Sequence, residues 1–466
     1  MKKISRVKKR KKIETEYSIW KMSEILNLTS DQNKALIRIN EWLKNPNDLA
    51  LCLSGSAGTG KSTLIKRVIS ENDLYLKSIC VAAPTHKAKE VISIITGIKT
   101  CKTVAELLGL KLNYDITEFD INQVSFITDK SKAKIGNFEL LFIDEASMIN
   151  QDAFNYLTML SKMYKTKILY IGDSYQINPI KEDISPVFKA IPNVILNEIV
   201  RQSGTNPIST LIALAREAVR LKDDSFINFC LKSVNNEQML YEGYNIYNIP
   251  QLAFDNYKHF YALSNDTFFI HYTNDVVSAW NKKIREEIIN SEVEYTTNDR
   301  IVGYNTILNS NNIFDIQNSV VYDVLEVAHK AASIANTKIS FFHLLIKNNI
   351  GETSDIHVIK RESINNFKIV AADIIKKSIQ SKSWRTYYNF KDTYLLDRRI
   401  ELYEGQFIDK SLDYSHCVTA HKSQGSTYEY VFINLKNMMR NKNIRERNRL
   451  IYVALSRASK GLTILI

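Results

Sequence analysis

One glycine-rich segment constrains the fold of this chain more than any other stretch. Residues 55–63 read GSAGTGKST and satisfy the pattern G-x-x-x-x-G-K-[ST]. An apolar run, residues 49–53, precedes the segment, and apolar residues follow it at helical spacing at Leu64, Ile65, Val68 and Ile69. A strand, a glycine-rich loop and a helix in this order predict the phosphate-binding loop of a P-loop enzyme, and therefore an α/β fold built on parallel strands.

The residue types in this segment suit a nucleotide that is bound together with Mg²⁺. Its glycines let backbone N–H groups converge on the phosphates, because no Cβ hinders a positive φ. Lys61 can reach the β- and γ-phosphates, and the Ser62 hydroxyl can bind the metal ion. We therefore predict ATP contacts along the whole loop, which consists of Gly55, Ser56, Ala57, Gly58, Thr59, Gly60, Lys61, Ser62 and Thr63.

Two further strand ends carry residues that suit nucleotide hydrolysis. The apolar run 140–143 ends in Asp144 and Glu145, which predicts a Mg²⁺ ligand followed by a base that activates water. A second run, 167–171, leads to Gln176, which can orient the attacking water or contact the γ-phosphate. With the loop, these residues predict ATP hydrolysis with Mg²⁺ as cofactor.

Gln32 and Arg201 each have both a structural and a functional interpretation. Thr29 and Gln32 fit the helix-capping pattern S/T-x-x-E/Q. The Gln32 amide can also read the adenine edge, since it donates and accepts at once. Arg201 is either a phosphate contact or the partner of Glu198 in a surface ion pair. The residues alone leave both choices open.

The net charge of +12 overstates how basic the body of the chain is. Eight of the positive charges lie in residues 2–12, which leaves +4 for the rest. We predict a basic disordered arm at 1–23, which is either a solvated tail or an arm that binds nucleic acid. The five cysteines form no C-x₂-C pair, which predicts reduced thiols in a cytoplasmic protein. No apolar run is long enough to predict a membrane span.

Two β-rich stretches interrupt the α/β pattern. Residues 114–127 have β-forming residues and no glycine, and they predict a hairpin whose aromatic residues, Phe119 and Phe126, are either core or functional. A second α/β set begins near 268–270 and is interrupted from about 296 to 412 by short β-rich pieces, which predict a small β-barrel. The set then resumes and ends with a predicted helix at 449–458 that carries Arg457.

Eight short blocks occur in an order typical of one enzyme family. They are GSAGTGKST, APTHKA, IDEAS, GDSYQINP, VRQ, YTN, TAHKSQGST and YVALSRA. In this order they resemble the superfamily 1 helicases. APTHKA, the TAHKSQG block and the YVALSRA ending resemble the RecD branch in particular, and within it the phage Dda-type helicases. The resemblance covers about residues 26–466.

The resemblance implies two RecA-like lobes with ATP in the cleft between them. The first lobe would span 24–200, with a β-hairpin insertion at 111–135 that resembles the pin by which such enzymes split a duplex. Phe119 or Phe126 would stand at this pin. The second lobe would consist of 201–295 and 413–466, with an SH3-like β-barrel inserted at 296–412.

The resemblance also assigns roles to individual residues. Gln32 would contact adenine, Gln176 would sense the γ-phosphate, and Arg201 and Arg457 would supply charge to the transition state. The alternative for Arg457 is an exposed position on its helix. Single-stranded DNA would be held by Thr85, His86, Lys87, Thr103, Thr273, Asn274, Thr419, His421 and Lys422. Trp384, which lies in the second β-rich stretch and in none of the eight blocks, is a further candidate for DNA contact.

The function implied is an ATP-driven helicase that moves 5′ to 3′ on single-stranded DNA. Its partners would be single-stranded and fork DNA together with replication or recombination proteins. It would act as a monomer in a bacterial or phage-infected cell. An RNA or dual helicase, and an NTPase that remodels protein–DNA complexes without separating strands, are the alternatives. DNA-stimulated hydrolysis would exclude a P-loop kinase.

Overall fold

The structure is a computed structural model. It describes residues 28–72, 74, 78–112, 126–128, 133–179, 182–198, 207–236, 243–289, 293–297, 299–308 and 314–466. The predicted arm at 1–23 lies outside these residues, as do Phe119 and Arg201. Their predicted roles therefore stay predictions.

A parallel sheet forms the centre of the first α/β module, which we define as residues 28–198. Its strands, in chain order, are β1 (Ala50–Gly55), β2 (Ile79–Ala83), β3 (Cys101–Thr103), β4 (Leu110–Leu112), β5 (Phe126–Thr128), β6 (Leu140–Ile143), β7 (Lys167–Gly172) and β8 (Asn193–Leu196). Six of them pair in parallel in the order β3-β2-β6-β7-β1-β8. The other two, β4 and β5, form a separate antiparallel pair at the base of the predicted hairpin.

Helices cover both faces of this sheet. They are α1 (Ser30–Lys44), α2 (Lys61–Glu71), α3 (His86–Thr96), α4 (Val104–Leu108), α5 (Gln151–Tyr164) and α6 (Val187–Ala190). Side chains alternate between faces along each strand. Leu51 and Leu53 accordingly pack with α1, α2 and α3, whereas Cys52 between them packs with α4, α5 and α6. Burial on both faces explains why the central strands β2 and β6 are apolar throughout.

The second α/β module begins with helices and two strands. The elements are α7 (Pro207–Leu221), α8 (Ser225–Lys232), β9 (Gly243–Tyr247), α9 (Pro250–Leu263), β10 (Thr267–His271) and α10 (Asn274–Ile284). A π-helical turn, Arg285–Ile289, extends α10. A strand therefore precedes the apolar run at 268–270, which the sequence pattern had marked as the beginning of this set.

A predominantly antiparallel sheet follows, and we call residues 299–414 the β module. Its elements are β11 (Arg300–Gly303), β12 (Ile307–Leu308), β13 (Phe314–Ile316), β14 (Val321–Ile334), β15 (Thr337–Asn348), β16 (Thr353–Ile359), α11 (Ile364–Ser381), α12 (Arg385–Thr393), β17 (Tyr394–Leu395), β18 (Ile400–Tyr403), β19 (Gln406–Ile408) and β20 (Leu412–Tyr414). The main sheet has the order β17-β16-β15-β14-β11-β20. Only β16 and β17 within it are parallel.

The expectation of short β pieces throughout 296–412 is wrong for 364–393, where α11 and α12 lie. The aromatic residues that favoured strands instead form a core between these helices and the sheet. Trp384 is only 5% exposed and belongs to this core with Phe341 and Phe367. The prediction that Trp384 contacts DNA is therefore contradicted, because its ring face is covered by protein.

The chain then returns to complete the second α/β module, which comprises 207–289 and 417–466. The returning elements are β21 (Cys417–Thr419), α13 (Ala420–Ser423), β22 (Tyr428–Asn434), α14 (Leu435–Met438), α15 (Ile444–Leu455) and β23 (Ala458–Leu465). Five parallel strands have the order β21-β10-β22-β23-β9. The predicted helix at 449–458 ends at Leu455, so Arg457 follows the helix instead of lying on it.

The expected parallel α/β fold is thus confirmed, as are free thiols at all five cysteines. Within the described ranges, no helix has the length and apolar character that crossing a membrane requires.

A candidate nucleotide site between the two α/β modules

The glycine-rich segment forms the turn between β1 and α2. Gly60 caps α2 with a φ of 76°, in the left-handed region that disfavours other residues. A Cβ on Gly55 would lie 2.6 Å from Thr59 Oγ1. The Lys61 ammonium donates hydrogen bonds to the carbonyl oxygens of Gly55, at 2.6 Å, and Ser56, at 3.1 Å. The loop therefore has the curvature of a phosphate cradle, with its lysine folded over it.

Gln32 makes the helix cap and also touches this loop. Its Oε1 accepts from the Thr29 backbone N–H at 3.1 Å, and Thr29 Oγ1 accepts from the Gln32 backbone N–H at 3.3 Å. Its Nε2 donates to the Thr59 carbonyl at 2.9 Å. The capping interpretation thus holds in this structure, and the adenine contact stays a prediction.

The two acidic residues lie at the carboxyl end of β6. Asp144 accepts the backbone N–H of Glu145 at 2.9 Å. Glu145 has a φ of 52°, a left-handed conformation that costs of order 1–3 kcal/mol in a residue with a side chain. Such a conformation persists where the surroundings impose it, and it is typical of functional positions.

Burial sets the protonation of this pair. It raises the pKa of Glu145 to about 7, and the Asp144 carboxylate beside it also raises this pKa. The cations of Arg457 and Lys61 lower it, as does a hydrogen bond from Gln424. Burial likewise raises the pKa of Asp144. A carboxylate that titrates near neutrality suits a general base.

The oxygen donors present fit a Mg²⁺ ion that is bound jointly with a nucleotide. Ser62 lies in the first turn of α2, and Lys61 beside it is an electrostatic neighbour of Asp144. Hydroxyl and carboxylate oxygens are the ligands that Mg²⁺ prefers, with water and phosphate completing its shell. No group of three or more His, Cys, Asp or Glu residues in the described part of the chain could hold a metal ion by itself.

Gln424 of the second module reaches the candidate hydrolysis residues of the first. Its Nε2 donates to Gln176 Oε1 at 3.1 Å, to Ser147 Oγ at 3.3 Å and to Glu145 Oε2 at 3.4 Å. The amide is buried, being 6% exposed. Gln424 was not among the predicted site residues, although it stands in the TAHKSQGST block.

Helix α15 of the second module also contacts the first. The Tyr452 hydroxyl donates to Asp173 Oδ2 at 2.6 Å and accepts from the Ala57 backbone N–H of the phosphate loop at 3.3 Å. Arg449 Nη1 donates at 2.6 Å to the carbonyl oxygens of Ser174 and Gln176. The two modules are thus joined by polar contacts at the site itself.

Arg457 is buried, so its alternative placement on an exposed helix surface is wrong. Its guanidinium donates to the carbonyl oxygens of Val453 at 3.0 Å and Ser426 at 2.9 Å, and to Ser456 Oγ at 2.7 Å. Its charge lowers the pKa of Glu145 across the module interface. Contact with phosphate remains a prediction for Arg457.

The four threonines predicted to contact DNA all precede helices. Three of their hydroxyls cap the helix through a backbone N–H, whereas the fourth, Thr273, is the N-cap without that bond. Because β2 pairs with β3 and β10 with β21, the threonines lie in pairs at two sheet edges. They are Thr85, Thr103, Thr273 and Thr419. Capping explains three of them structurally, and DNA contact stays a prediction for all four.

The remaining DNA candidates differ in burial: His86 is buried, Lys87 is half-buried and His421 is exposed. Burial lowers the pKa of His86 to about 4, so this ring is neutral at pH 7. Burial also lowers the pKa of Lys87. His421, in contrast, has 47% of its side chain exposed.

The structure brings Asn274 and Lys422 together around Tyr304 of the β module. The Tyr304 hydroxyl donates to Asn274 Oδ1 at 3.3 Å, and the Lys422 ammonium lies 3.8 Å from the centre of the ring. Lys422 also donates to the Gly303 carbonyl and to Asn318 Oδ1. This cluster connects the TAHKSQGST block to the β module.

Comparison with known proteins identifies the family. A profile described as "AAA domain" matches residues 27–229, and one described as "UvrD-like helicase C-terminal domain" matches 414–465. The RecBCD enzyme subunit RecD of Buchnera aphidicola is 24% identical over 94% of this chain and 73% of its own length. The chain is a superfamily 1 helicase.

Further similarities agree with this identification. The ATP-dependent DNA helicase Dda of phage T4 is 30% identical over 35% of this chain and 36% of its own length. The structure of a Bacteroides Pif1 bound to single-stranded DNA aligns with a TM-score of 0.52 at 16% identity, covering 94% of this helicase and 92% of Pif1. At that identity the likeness shows the fold alone.

A pH profile can test whether Gln424 acts on the carboxylate base of the helicase. Its amide donates to the charged form of Glu145, so its removal should raise the pKa of Glu145 further. The base must be deprotonated, so in Gln424→Leu the acid limb of the turnover profile should move to higher pH. Gln251→Leu, at an exposed position in α9, should leave the profile in place. An unmoved limb in Gln424→Leu would contradict this role.

Proposed function

We propose that this chain is an ATP-dependent DNA helicase that moves 5′ to 3′ on single-stranded DNA and separates the strands of a duplex. The observation that carries the proposal is the hydrogen bonding of Gln424 to Glu145 and Gln176 across the module interface. A residue of a block expected to hold DNA thereby contacts the residues expected to hydrolyse ATP. Relative movement of the modules would change both sites together.

The proposed chemistry assigns a role to each part of the site. Glu145 takes a proton from the water that attacks the γ-phosphate, and Gln176 orients that water. Lys61 and Arg457 offset the negative charge that develops on the phosphate oxygens. Ser62 and Asp144 would hold Mg²⁺, which supplies further charge stabilisation when bound. Arg201 shares the task of Arg457 in this proposal.

The proposed architecture is that of two RecA-like lobes with two insertions. The first lobe is 24–200 and the second is 201–295 with 413–466. The antiparallel pair β4–β5 supports a hairpin at 111–135 that acts as a strand-separating pin. The sheet at 296–412 is the second insertion, and its helices α11 and α12 extend it beyond a plain SH3-like barrel.

DNA would cross both modules at the sheet edges where the four threonines lie. Similar proteins support this substrate: phage T4 Dda is an ATP-dependent DNA helicase, and two coordinating Pif1 helicases unwind DNA at forked double-stranded DNA. On that basis we propose single-stranded DNA and fork DNA as the substrates of this chain. Replication or recombination proteins as partners, a monomeric state and a cytoplasmic setting belong to the same proposal.

One strand-displacement assay tests the proposal. Duplexes with either a 5′ or a 3′ single-stranded tail are incubated with the protein and ATP, and strand release is measured. Release from the 5′-tailed duplex alone is expected. Release from the 3′-tailed duplex alone would overturn the direction. DNA-stimulated hydrolysis without release from either duplex would favour a remodelling NTPase, and stronger stimulation by RNA than by DNA would favour an RNA helicase.

A further inference from the structure

Arg216 of the second module lies at the phosphate loop of the first. It stands on α7, outside all eight sequence blocks. Its Nη1 donates to Ser56 Oγ at 3.2 Å, and its guanidinium carbon lies 5.9 Å from the centre of the Tyr175 ring. Ser56 is the second residue of GSAGTGKST. The side chain thus extends across the module interface to the loop expected to hold ATP.

The neighbouring loop residue is also contacted from the second module. The Ala57 backbone N–H donates to the Tyr452 hydroxyl at 3.3 Å. Backbone N–H groups of this loop type are the donors that phosphate oxygens accept from. Tyr452 therefore marks a position where an acceptor oxygen fits the loop. Arg216, bonded to the adjacent Ser56, lies beside that position.

Within the part of the chain that the structure describes, the charge of Arg216 is not neutralised by a close carboxylate. Among the described residues, no carboxylate oxygen lies within 4.0 Å of its guanidinium. Its partners are a hydroxyl and an aromatic ring, and it is half-buried. Partial removal from water strengthens attraction to an anion. Arg220, one turn further along α7, differs in that it is exposed and paired with Glu217.

We propose that Arg216 is a further catalytic residue that binds the γ-phosphate of ATP across the module interface. The inference rests on the proposed hydrolysis. There, a water oxygen bonds to the γ-phosphorus, the bond to the β–γ bridging oxygen breaks, ADP keeps that electron pair, and the water proton passes to Glu145. Arg216 stabilises the charge on the γ-phosphate oxygens. A guanidinium suits this task, because it stays charged and can grip two oxygens.

Kinetics of matched arginine variants provide the first test. In Arg216→Ala, DNA-stimulated kcat should fall at least ~10-fold, a modest share of what arginine fingers contribute because other arginines remain. The kcat of Arg216→Lys should also fall, because lysine keeps the positive charge but lacks the forked N–H donors of the guanidinium. Arg220→Ala removes only a surface pair and should stay within about twofold of wild type. Equal rates for Arg216→Ala and Arg220→Ala would overturn the inference.

Binding of ADP with and without aluminium fluoride separates phosphate contact from a structural role. Bound with ADP, aluminium fluoride mimics the γ-phosphoryl group during its transfer to water. Arg216→Ala should bind ADP as tightly as wild type does. The gain in ADP affinity on adding aluminium fluoride should be at least ~10-fold smaller in Arg216→Ala than in wild type. Equal weakening of both complexes would instead show that Arg216 only supports the loop, and would overturn the inference.

Two controls keep the tests interpretable. Thermal unfolding checks each variant, and if Arg216→Ala does not fold, Arg216→Lys carries both measurements. A wild-type protein without DNA-stimulated hydrolysis would refute the proposed function itself. An active wild type with an equally active Arg216→Ala would refute only the role of Arg216.

Discussion

Replacing Lys61 with alanine is expected to abolish ATP turnover while single-stranded DNA binding stays close to that of wild type. The ammonium is held over the loop by the carbonyl oxygens of Gly55 and Ser56, so it is positioned where phosphates are expected. A positioned charge stabilises phosphoryl transfer in P-loop enzymes. None of the residues predicted to contact DNA is a hydrogen-bond partner of Lys61 in the described structure. Hydrolysis and DNA affinity should therefore separate.

The measurements are DNA-stimulated phosphate release and fluorescence anisotropy with a labelled oligonucleotide. Arg67→Ala is the matched control, since Arg67 lies on the same helix and forms an exposed pair with Glu71, which contributes only ~0.3–0.5 kcal/mol. It should hydrolyse ATP normally. Near-normal hydrolysis by Lys61→Ala would remove this loop from the nucleotide site.

The parallel strands of this protein could be predicted because burial on both faces leaves a simple signature. The run at 140–143 coincides with β6, and the run at 167–171 falls one residue short of β7. Such strands need apolar side chains at every position. Their order in the sheet could not be derived from these runs, because each run fits any central position.

In the β module, predicting strands from residue composition fails. Residues 364–393 contain many β-branched and aromatic residues, which favour strands on a propensity scale. Their apolar residues nevertheless recur at helical spacing at Phe367, Val370, Ala371, Ile374 and Ile375, and these pack against the sheet in the structure. The helical spacing of the apolar residues therefore predicts these helices correctly, whereas the composition favours strands.

The candidate site could be predicted in part. Glu145 and Gln176 follow adjacent strands, β6 and β7, whose carboxyl ends share one edge of the sheet. Parallel strands place such residues near a loop at the same edge. Arg216 and Gln424 could not be found in this way, because their positions depend on how the second module docks on the first. The spacing of residues along the chain does not determine how the two modules pack against each other.

The polar residues at strand ends illustrate a second limit. Thr85, Thr103 and Thr419 occur where the sequence predicts functional residues, and each caps the helix that follows. Capping and phosphate contact require the same small hydroxyl side chain at the same place. Sequence alone does not distinguish the two uses.

Replacing Glu145 with glutamine is expected to lower the rate of ATP hydrolysis by ~10²-fold or more, in line with the contribution of a general base. Glutamine has nearly the same shape, and its amide oxygen can still accept from Gln424, which lies 3.4 Å from Glu145 Oε2. The module interface should therefore be preserved and ATP should still bind. What disappears is the carboxylate that accepts the proton of water.

The pH dependence of the reaction gives this prediction a second readout. Burial raises the pKa of Glu145 to about 7, so wild-type turnover should rise as pH increases through that value and the carboxylate loses its proton. Glu145→Gln cannot titrate there, and its residual rate should lack this limb. Glu139→Gln, an exposed residue immediately before β6, is the control and should retain it. Titration with a fluorescent ATP analogue measures binding. Lost nucleotide affinity in Glu145→Gln would show that Glu145 instead holds the site together or binds the metal, because removing a base alone leaves binding intact.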